Sequence, residues 1–295
     1  TFIYNVNTQK LWTRTLQMIE VEGLRKLYDS YLAVDGISFS LGAGQICGLI
    51  GPNGAGKTTT MRCLSGLITA TAGSLKVADC CVQTNVNTLK TRLAYVPDDP
   101  PLFDDLSVGE HMEFIGRLYR VPDHHEKAVE LLQQFELLDK YKAGATTLSR
   151  GMRQKLAVCC AYLYSPSVIL LDEPLTGLDP PAIRTLLESV RVRAAAGATF
   201  IISSHLLAMI APVCTHLLVM QNGTAQYFGD THTLRNQFPE AETLEDAYFA
   251  ATHPNTTHPS TPLTVSPTFN TTVLPQQANK CGSPTKSHGV TEVIS

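Results

Sequence analysis

Short apolar runs alternate with longer amphipathic stretches from about residue 16 to residue 250. Residues 45–50, 168–171 and 199–202 are apolar runs of strand length, which is typical of strands buried on both faces. Residues 182–195 follow a Pro-Pro pair and have the length and spacing of an amphipathic helix. This alternation predicts an α/β domain in which helices cover the sheet.

The pattern changes between Pro97 and Ser165, where helical periodicity replaces the alternation. Residues 108–120, 125–138 and 149–164 each have helical spacing, and no strand-like run separates them. We therefore predict a helical subdomain from about residue 99 to residue 164, inserted into the α/β core. Its Met and aromatic residues recur at roughly helical spacing, which favours core packing or a partner surface over a cofactor pocket.

Composition sets limits on the domain organisation. Of the 295 residues, 44% are hydrophobic and 17% charged, as in ordinary globular proteins. After residue 251 the sequence is rich in Thr, Pro, Ser, Asn and His and keeps no period, so it cannot form a packed core. We predict one domain over residues 1–251, without internal repeats, and a disordered tail over residues 252–295.

Charge and cysteine usage narrow the classes of partner. The formal net charge of −3 gives no polycationic surface, so nucleic acid is not a favoured partner. The cysteines form no C-x-x-C motif and no zinc pattern with histidine, which predicts reduced, mostly buried thiols and a cytosolic protein. Residues 1–14 lack the pattern of a secretory signal, and no apolar run has the length of about 18 residues that a membrane span needs. Any membrane role is therefore expected to come through a partner.

A glycine-rich loop follows the apolar run that ends at Ile50 and precedes a predicted helix. It fits the pattern G-x-x-x-x-G-K-[ST] with the residues Gly51, Pro52, Asn53, Gly54, Ala55, Gly56, Lys57 and Thr58. Glycines let backbone N–H groups wrap around phosphates, the lysine neutralises β- and γ-phosphate charge, and the threonine hydroxyl is a Mg²⁺ ligand. A chance glycine-rich turn is the alternative, and the strand and helix on either side argue against it.

Two adjacent carboxylates end the apolar run at residues 168–171. Asp172, at the strand tip, is predicted to hold Mg²⁺ through water, and Glu173 is predicted to polarise the attacking water as general base. Taken alone, an acidic pair after a buried strand is more often a turn or the start of a helix. Its combination with the phosphate loop favours the catalytic interpretation.

Residues 148–154 read LSRGMRQ and head a predicted helix, where Ser149 taken alone would be an ordinary N-cap. The segment resembles the LSGGQ-type signature of the ABC ATPase family. Tyr28 is similar to the aromatic of that family's A-loop, residues 175–180 (LTGLDP) to its D-loop, and residues 201–205 (IISSH) to its switch strand. The resemblance covers residues 28–205, and residues 148–156 and 243–249 look most like the branch that serves drug, haem or polysaccharide exporters.

The resemblance implies a P-loop NTPase core of the RecA-like type, with an N-terminal antiparallel β-subdomain and an inserted α-helical subdomain. It also implies ATP and Mg²⁺ as cofactors. In this family's pattern Tyr28 would stack on adenine and His205 would reach the γ-phosphate. Residues 51–59, the last of which is Thr59, would hold the phosphates. Lys57, Glu173 and His205 would then be the catalytic residues.

The resemblance further implies an assembly. Ser149 and Gly151 would complete the ATP site of a second ATP-binding subunit in a head-to-tail homodimer or heterodimer, with Asp179 at the interface. Integral membrane permease subunits would carry the substrate, which implies a location on the cytoplasmic face of a membrane. Two alternatives stay open: a soluble, non-transport ABC ATPase, disfavoured by the single motif set and the lack of heptads, and an ATP-binding regulatory module with little turnover.

Two positions depart from the family pattern. Asp98 stands where the family usually has Gln, and Arg150 stands at the signature's usual first Gly. An ionised Asp accepts but does not donate hydrogen bonds, and it brings charge next to a Mg²⁺ site. We therefore predict that Asp98, like Thr58 and Asp172, contacts the metal directly or through water. The alternative is an exposed turn position beside Asp99 and Pro100.

Overall fold

The computed structural model describes residues 17–205 and 207–237, in which strands and helices alternate after an initial pair of long strands. The strands are β1 (Gln17–Tyr28), β2 (Tyr31–Gly42), β3 (Ile46–Ile50), β4 (Ala72–Val77), β5 (Cys80–Cys81), β6 (Leu93–Val96), β7 (Val168–Asp172), β8 (Thr199–Ser204), β9 (His216–Gln221) and β10 (Thr224–Asp230). The helices are α1 (Lys57–Leu64), α2 (Val86–Arg92), α3 (Val108–Leu118), α4 (His124–Gln134), α5 (Arg150–Leu163), α6 (Pro180–Ala195), α7 (Leu207–Ile210) and α8 (Thr231–Gln237).

The larger sheet has the strand order β10-β9-β3-β8-β7-β6. Strands β9, β3, β8, β7 and β6 are parallel, and β10 pairs antiparallel with β9 at the edge. The carboxyl ends of the parallel strands therefore meet at one edge, which is where ligands bind in open α/β sheets. The loops after β3, β8 and β7 are neighbours at that edge.

The central strands are buried on both faces, as their mainly apolar sequences predict. Every residue of β3, β7 and β8 is buried. Successive side chains pack into two different cores: Ile46 and Ile50 into one, and Cys47 and Leu49 into the other. This two-sided packing explains why these strands show no apolar-polar alternation.

A second, antiparallel sheet has the order β2-β1-β4-β5. Its inward side chains, among them Ile19 and Leu75, share a core with Met61 and Leu64 of α1. The sheet thus covers the face of the larger sheet on which α1 lies. This is the N-terminal antiparallel β-subdomain that the family resemblance implies.

The three helices expected between residues 99 and 164 are present as α3, α4 and α5. Met112, Phe135 and Leu156 from this region share a core with Ile169 of β7. The helices α3 and α4 end earlier than expected, at Leu118 and Gln134. The physical reason is backbone conformation, because Arg120 and Glu136 adopt left-handed φ values of 52° and 57°, which a right-handed helix cannot continue through.

Helix α6 begins at Pro180, two residues before the expected start at residue 182. The Asp179 side chain caps it by accepting a hydrogen bond from the Ala182 N–H at 2.9 Å. Asp before proline is a strong start signal, because the cap satisfies a free N–H and proline lacks the N–H that the first turn leaves unpaired.

Three further predictions from the sequence concern the cysteines, membrane-spanning helices and the C-terminal tail. Cys47, Cys63, Cys80, Cys159 and Cys214 are buried thiols, as predicted. No helix within residues 17–205 and 207–237 is long and apolar enough to cross a membrane. The predicted tail of residues 252–295 lies outside the described residues, and so does the segment 243–249.

Candidate functional site

The phosphate loop connects β3 to α1 and needs glycine at two points for steric reasons. Gly56, the residue before α1, has φ 101°, and a Cβ there would lie 2.6 Å from the Ala33 carbonyl oxygen. A Cβ on Gly51 would overlap the Met220 carbonyl oxygen. The loop therefore packs directly against β2 and β9, and its glycines permit that close approach.

The Lys57 side chain is buried inside its own loop. Its Nζ donates to the Gly51 carbonyl oxygen at 2.8 Å and to the Pro52 carbonyl oxygen at 3.3 Å, and it lies 3.6 Å from Glu173 Oε1. Only 7% of this side chain is exposed. The ammonium group is thus fixed at the point where the phosphate loop faces the end of β7.

Asp172 is buried at the end of β7, with 1% of its surface exposed. Its Oδ1 accepts a hydrogen bond from Ser203 Oγ at 2.5 Å, and its Oδ2 accepts one from Tyr95 Oη at 3.1 Å. Burial, and then the charge of Asp172, raise the pKa of Tyr95 well above its usual value, so the phenol stays protonated and remains a donor. Strands β6 and β8 on either side therefore both stabilise the carboxylate of β7.

Glu173 lies between the phosphate loop and the end of β8. Its Oε2 is 2.9 Å from His205 Nδ1, and its backbone N–H donates to Ser203 Oγ at 2.9 Å. Its φ of 47° is in the left-handed region, which costs a non-glycine residue about 1 kcal/mol. Side-chain contacts on both sides hold Glu173 in this conformation, a pattern often seen for functional residues.

A cleft of about 320 Å³ opens over the phosphate loop. It is lined by Tyr31, Ala33, Asn53, Gly54, Ala55, Gly56, Lys57, Thr58, Thr59, Asp98 and Glu173. The cleft therefore brings together most of the predicted phosphate-binding residues, the predicted base Glu173 and Asp98. Its volume is within the range of small-molecule sites.

The aromatic residue in the wall of this cleft is Tyr31, whereas Tyr28 is not among the lining residues. Tyr28 lies at the end of β1, directly across the hairpin from Tyr31, with Lys26 Nζ 4.8 Å from the centre of its ring. The stacking role of Tyr28 stays a prediction, and Tyr31 is a second candidate for it.

Asp98 follows β6 and faces the cleft, but its carboxylate is engaged. Its Oδ1 accepts a hydrogen bond from Arg150 Nη2 at 2.8 Å. The two residues that depart from the family pattern therefore contact each other. A direct metal contact of Asp98 stays a prediction, and it would have to compete with the guanidinium group.

Ser149, Gly151 and Asp179 lie outside the lining of this cleft. Ser149 caps α5 by accepting from the Met152 N–H at 3.3 Å. A Cβ on Gly151 would lie 2.5 Å from the Gly177 carbonyl oxygen, so the signature and D-loop segments touch in one chain. The proposed contribution of these three residues to a second subunit's site stays a prediction.

Tyr31, Tyr95 and Ser203 are residues of the site that the sequence reasoning missed. The sequence contained a signal for Ser203, because a polar residue inside an otherwise apolar buried strand needs a hydrogen-bond partner. Tyr95 had a weaker signal, as the polar-tipped residue of a short apolar strand. Tyr31 had none, since its place in the cleft depends on how the β1–β2 hairpin is paired.

Comparisons with known proteins agree on one family. The family model described as "ABC transporter" matches residues 34–176. The chain is similar to Nod factor export ATP-binding protein I of Ralstonia nicotianae, with 36% identity over 219 residues, 74% of this chain and 68% of that protein. It is also similar to the ABC-type transporter ATP-binding protein EcsA of Bacillus subtilis, with 31% identity over 246 residues, 82% of this chain and 100% of that protein.

A solved structure described as the ATP-binding subunit of an ABC transporter has the same fold. It superimposes with a TM-score of 0.75 at 30% sequence identity, and the match covers 80% of this chain and 99% of that chain.

Proposed function

Because the chain belongs to the family of ABC transporter ATP-binding proteins, we propose that it binds and hydrolyses Mg²⁺-ATP to drive export through a separate membrane permease. The family accounts for ATP binding and ATPase activity. The direction of transport, the metal and the partners are the proposed parts. Export is supported by the similarity to a protein named for the export of Nod factor.

One observation carries the catalytic part of the proposal: Lys57, Glu173 and His205 form a contiguous chain at the carboxyl edge of the sheet. The contacts are 3.6 Å between Lys57 Nζ and Glu173 Oε1, and 2.9 Å between Glu173 Oε2 and His205 Nδ1. Lys57 follows the phosphate loop after β3, and Glu173 and His205 directly follow β7 and β8, so the fold rather than local sequence brings them together.

Each of these side chains has a distinct part in hydrolysis. Lys57 neutralises the phosphate oxygens. Glu173, which lines the cleft, accepts a proton from the attacking water. His205 orients the Glu173 carboxylate through their hydrogen bond and remains half exposed, so that it can also reach a γ-phosphate.

The donor set fits Mg²⁺. Thr58 lines the cleft, and Mg²⁺ in nucleotide sites is held by few side chains together with phosphate oxygens and waters. Each Asp172 oxygen accepts one protein hydrogen bond and keeps a lone pair for a metal-bound water. No group of three His, Cys, Asp or Glu residues suited to a metal occurs in the described part of the chain. When bound, Mg²⁺ neutralises charge on the transferred phosphoryl group.

The helical subdomain presents an apolar surface that suits a membrane permease. Phe103, Phe114 and Leu118 are exposed by 54%, 43% and 59%, and the two phenylalanine rings meet edge to face at 5.2 Å. The buried His111 fixes this surface, since its Nε2 accepts from the Phe103 N–H at 3.0 Å. This surface is our proposed docking site, which would hold the chain at the cytoplasmic face of a membrane.

The substitution Glu173→Gln tests the catalytic part. We expect ATP binding to remain nearly intact while turnover falls by at least about 100-fold, because the amide cannot accept the proton. Glu188→Gln on the exposed surface of α6 is the control and should keep the parent rate. The Glu173→Gln protein should also form an ATP-bound dimer with doubled mass in light scattering, since a closed head-to-tail pair could not hydrolyse its way open.

The possible results of this experiment distinguish the catalytic proposal from the alternative of a regulatory module, and they test the head-to-tail pair. Turnover of Glu173→Gln within a factor of two of the parent would remove Glu173 from the role of base. A parent chain that binds ATP but shows no turnover above that of Glu173→Gln would instead support the regulatory module, for which the altered residue Asp98 is the only structural argument. A monomer at saturating ATP would count against the self-contained head-to-tail pair.

A further inference from the structure

Asp98 and Arg150 connect the wall of the nucleotide cleft to the beginning of α5. Asp98 lines the cleft, and Arg150 is the first residue of α5, next to Ser149. The ion pair between them has an N–O distance of 2.8 Å and joins positions 52 residues apart in the chain. The pair is therefore a direct electrostatic link between the cleft and the signature segment.

Arg150 stands where a positive charge is unfavourable. The N-terminal end of a helix carries a partial positive charge, and a cation there costs a few tenths of a kcal/mol to about 1 kcal/mol. The first turn of α5 contains no acidic residue that could offset it. Asp98 supplies the missing negative charge from another segment. The orientation of Arg150 thus depends on the carboxylate at the cleft.

The stem of Arg150 also contacts the segment that precedes α6. A Cβ added to Gly177 would lie 3.3 Å from Arg150 Cδ and 3.4 Å from Cγ, so the stem runs across this glycine. Gly177 is two residues before Asp179, the cap of α6. A movement of Arg150 would therefore change contacts at the starts of both α5 and α6.

The pair is weak enough to be exchanged. Its side chains are 53% and 48% exposed, and exposed ion pairs contribute only about 0.2–1 kcal/mol. A divalent cation that enters the cleft with nucleotide carries twice the charge of a guanidinium group. Asp98 can therefore change partners at little cost to the stability of the fold.

We propose that Arg150 is a positioning residue for Asp98: it neutralises the carboxylate at the cleft wall and competes for it with the Mg²⁺ that accompanies ATP. Loss of Arg150 leaves Asp98 as an unneutralised anion, which attracts Mg²⁺ and repels phosphate. With Mg²⁺-ATP bound, Asp98 would exchange Arg150 for the metal, and the contacts of Arg150 at the signature segment would change. This inference rests on the proposed function, because it takes Mg²⁺-ATP as the ligand of the cleft.

The test is equilibrium binding of ATP that carries a fluorescent N-methylanthraniloyl group, measured over a range of Mg²⁺ concentrations and in EDTA. The proteins are the parent chain, Arg150→Gln, Asp98→Asn and the double variant. For Arg150→Gln we expect the Mg²⁺ concentration at half-maximal binding to fall about two- to fivefold, the range of one exposed ion pair. Its affinity in EDTA should weaken by a similar factor. Asp98→Asn should shift both quantities in the opposite direction.

The double variant decides between positioning and a separate effect of Arg150. With Asp98 replaced, Arg150→Gln should no longer lower the Mg²⁺ midpoint. The matched control is Arg191→Gln, which breaks an ion pair of the same 2.8 Å distance and similar exposure on α6 and should leave the midpoint unchanged. Equal midpoints for the parent and Arg150→Gln, or the same shift in both backgrounds, would overturn the inference. If the parent chain fails to bind the nucleotide at all, the proposed function itself is wrong.

Discussion

Replacing Ser203 by alanine removes one hydroxyl that serves both acidic residues of the site. Ser203 is fully buried, and its Oγ donates to Asp172 Oδ1 at 2.5 Å and accepts from the Glu173 N–H at 2.9 Å. The substitution leaves a buried carboxylate with one donor fewer and a backbone N–H without its acceptor. Both losses cost free energy, because Asp172 and Ser203 are buried.

The expected cost follows from these two hydrogen bonds. A hydrogen bond to a charged group contributes about 1.5–3 kcal/mol, and an unsatisfied buried N–H costs about 1–3 kcal/mol. We therefore expect Ser203→Ala to lower the free energy of unfolding by about 3 kcal/mol. Tyr95→Phe removes only the 3.1 Å bond to Asp172 and should cost about 1.5–2 kcal/mol. In a domain of this size, each kcal/mol lowers Tm by about 2–4 °C.

Thermal denaturation followed by circular dichroism measures these losses, and Ser189→Ala is the matched control. Ser189 is also a fully buried serine with two partners, but both are neutral: Tyr162 Oη at 3.1 Å and the Leu186 carbonyl oxygen at 2.7 Å. Its loss should cost about 1 kcal/mol. A Tm for Ser203→Ala no lower than that of Ser189→Ala would refute the view that the charge of Asp172 is what makes Ser203 important.

Three further substitutions test the phosphate loop, the tyrosine that would stack on adenine, and the pH dependence of stability. Gly56→Ala should weaken ATP binding more than tenfold, measured by nucleotide titration, whereas Gly197→Ala, with a similar φ of 103° but no atom within 4 Å of the new Cβ, should leave it unchanged. Tyr31→Ala should weaken ATP binding about tenfold through lost stacking, and a larger loss for Tyr28→Ala would contradict the assignment from the cleft. Burial lowers the pKa of His216, so below about pH 6.5 the unfolded chain binds more protons than the folded chain, and the free energy of unfolding falls. Urea denaturation should show that His216→Gln reduces this acid sensitivity.

Elements defined by local pattern could be predicted from the sequence. The runs that became β3, β7 and β8 are mostly apolar because both of their faces are buried, and that pattern can be recognised without a structure. The phosphate loop has a fixed spacing because its glycines and its lysine lie in one continuous turn. The helix ends were harder, since left-handed residues such as Glu136 stop a helix without a distinctive sequence signal.

Contacts between distant segments could not be predicted in the same way. The sequence marked Asp98 and Arg150 as two separate departures from the family pattern, and only the fold shows that they form one ion pair. Each residue taken alone is puzzling, as an acid near phosphates and as a cation at a helix start. Together they neutralise each other, so the pair is physically reasonable where either single change is not. The sequence alone does not reveal that compensation.

The choice between Tyr28 and Tyr31 shows a second limit of sequence reasoning. The two tyrosines face each other across the turn that joins β1 to β2, so either could lie near a ligand over the phosphate loop. Which one lines the cleft depends on the pairing of the two strands, and that pairing is interrupted by register shifts around Leu24, Lys26 and Leu27. Each shift alters which side chains face the site, because neighbours in a strand point to opposite faces. The sequence therefore indicates the hairpin but does not identify the aromatic side chain that contacts the adenine base.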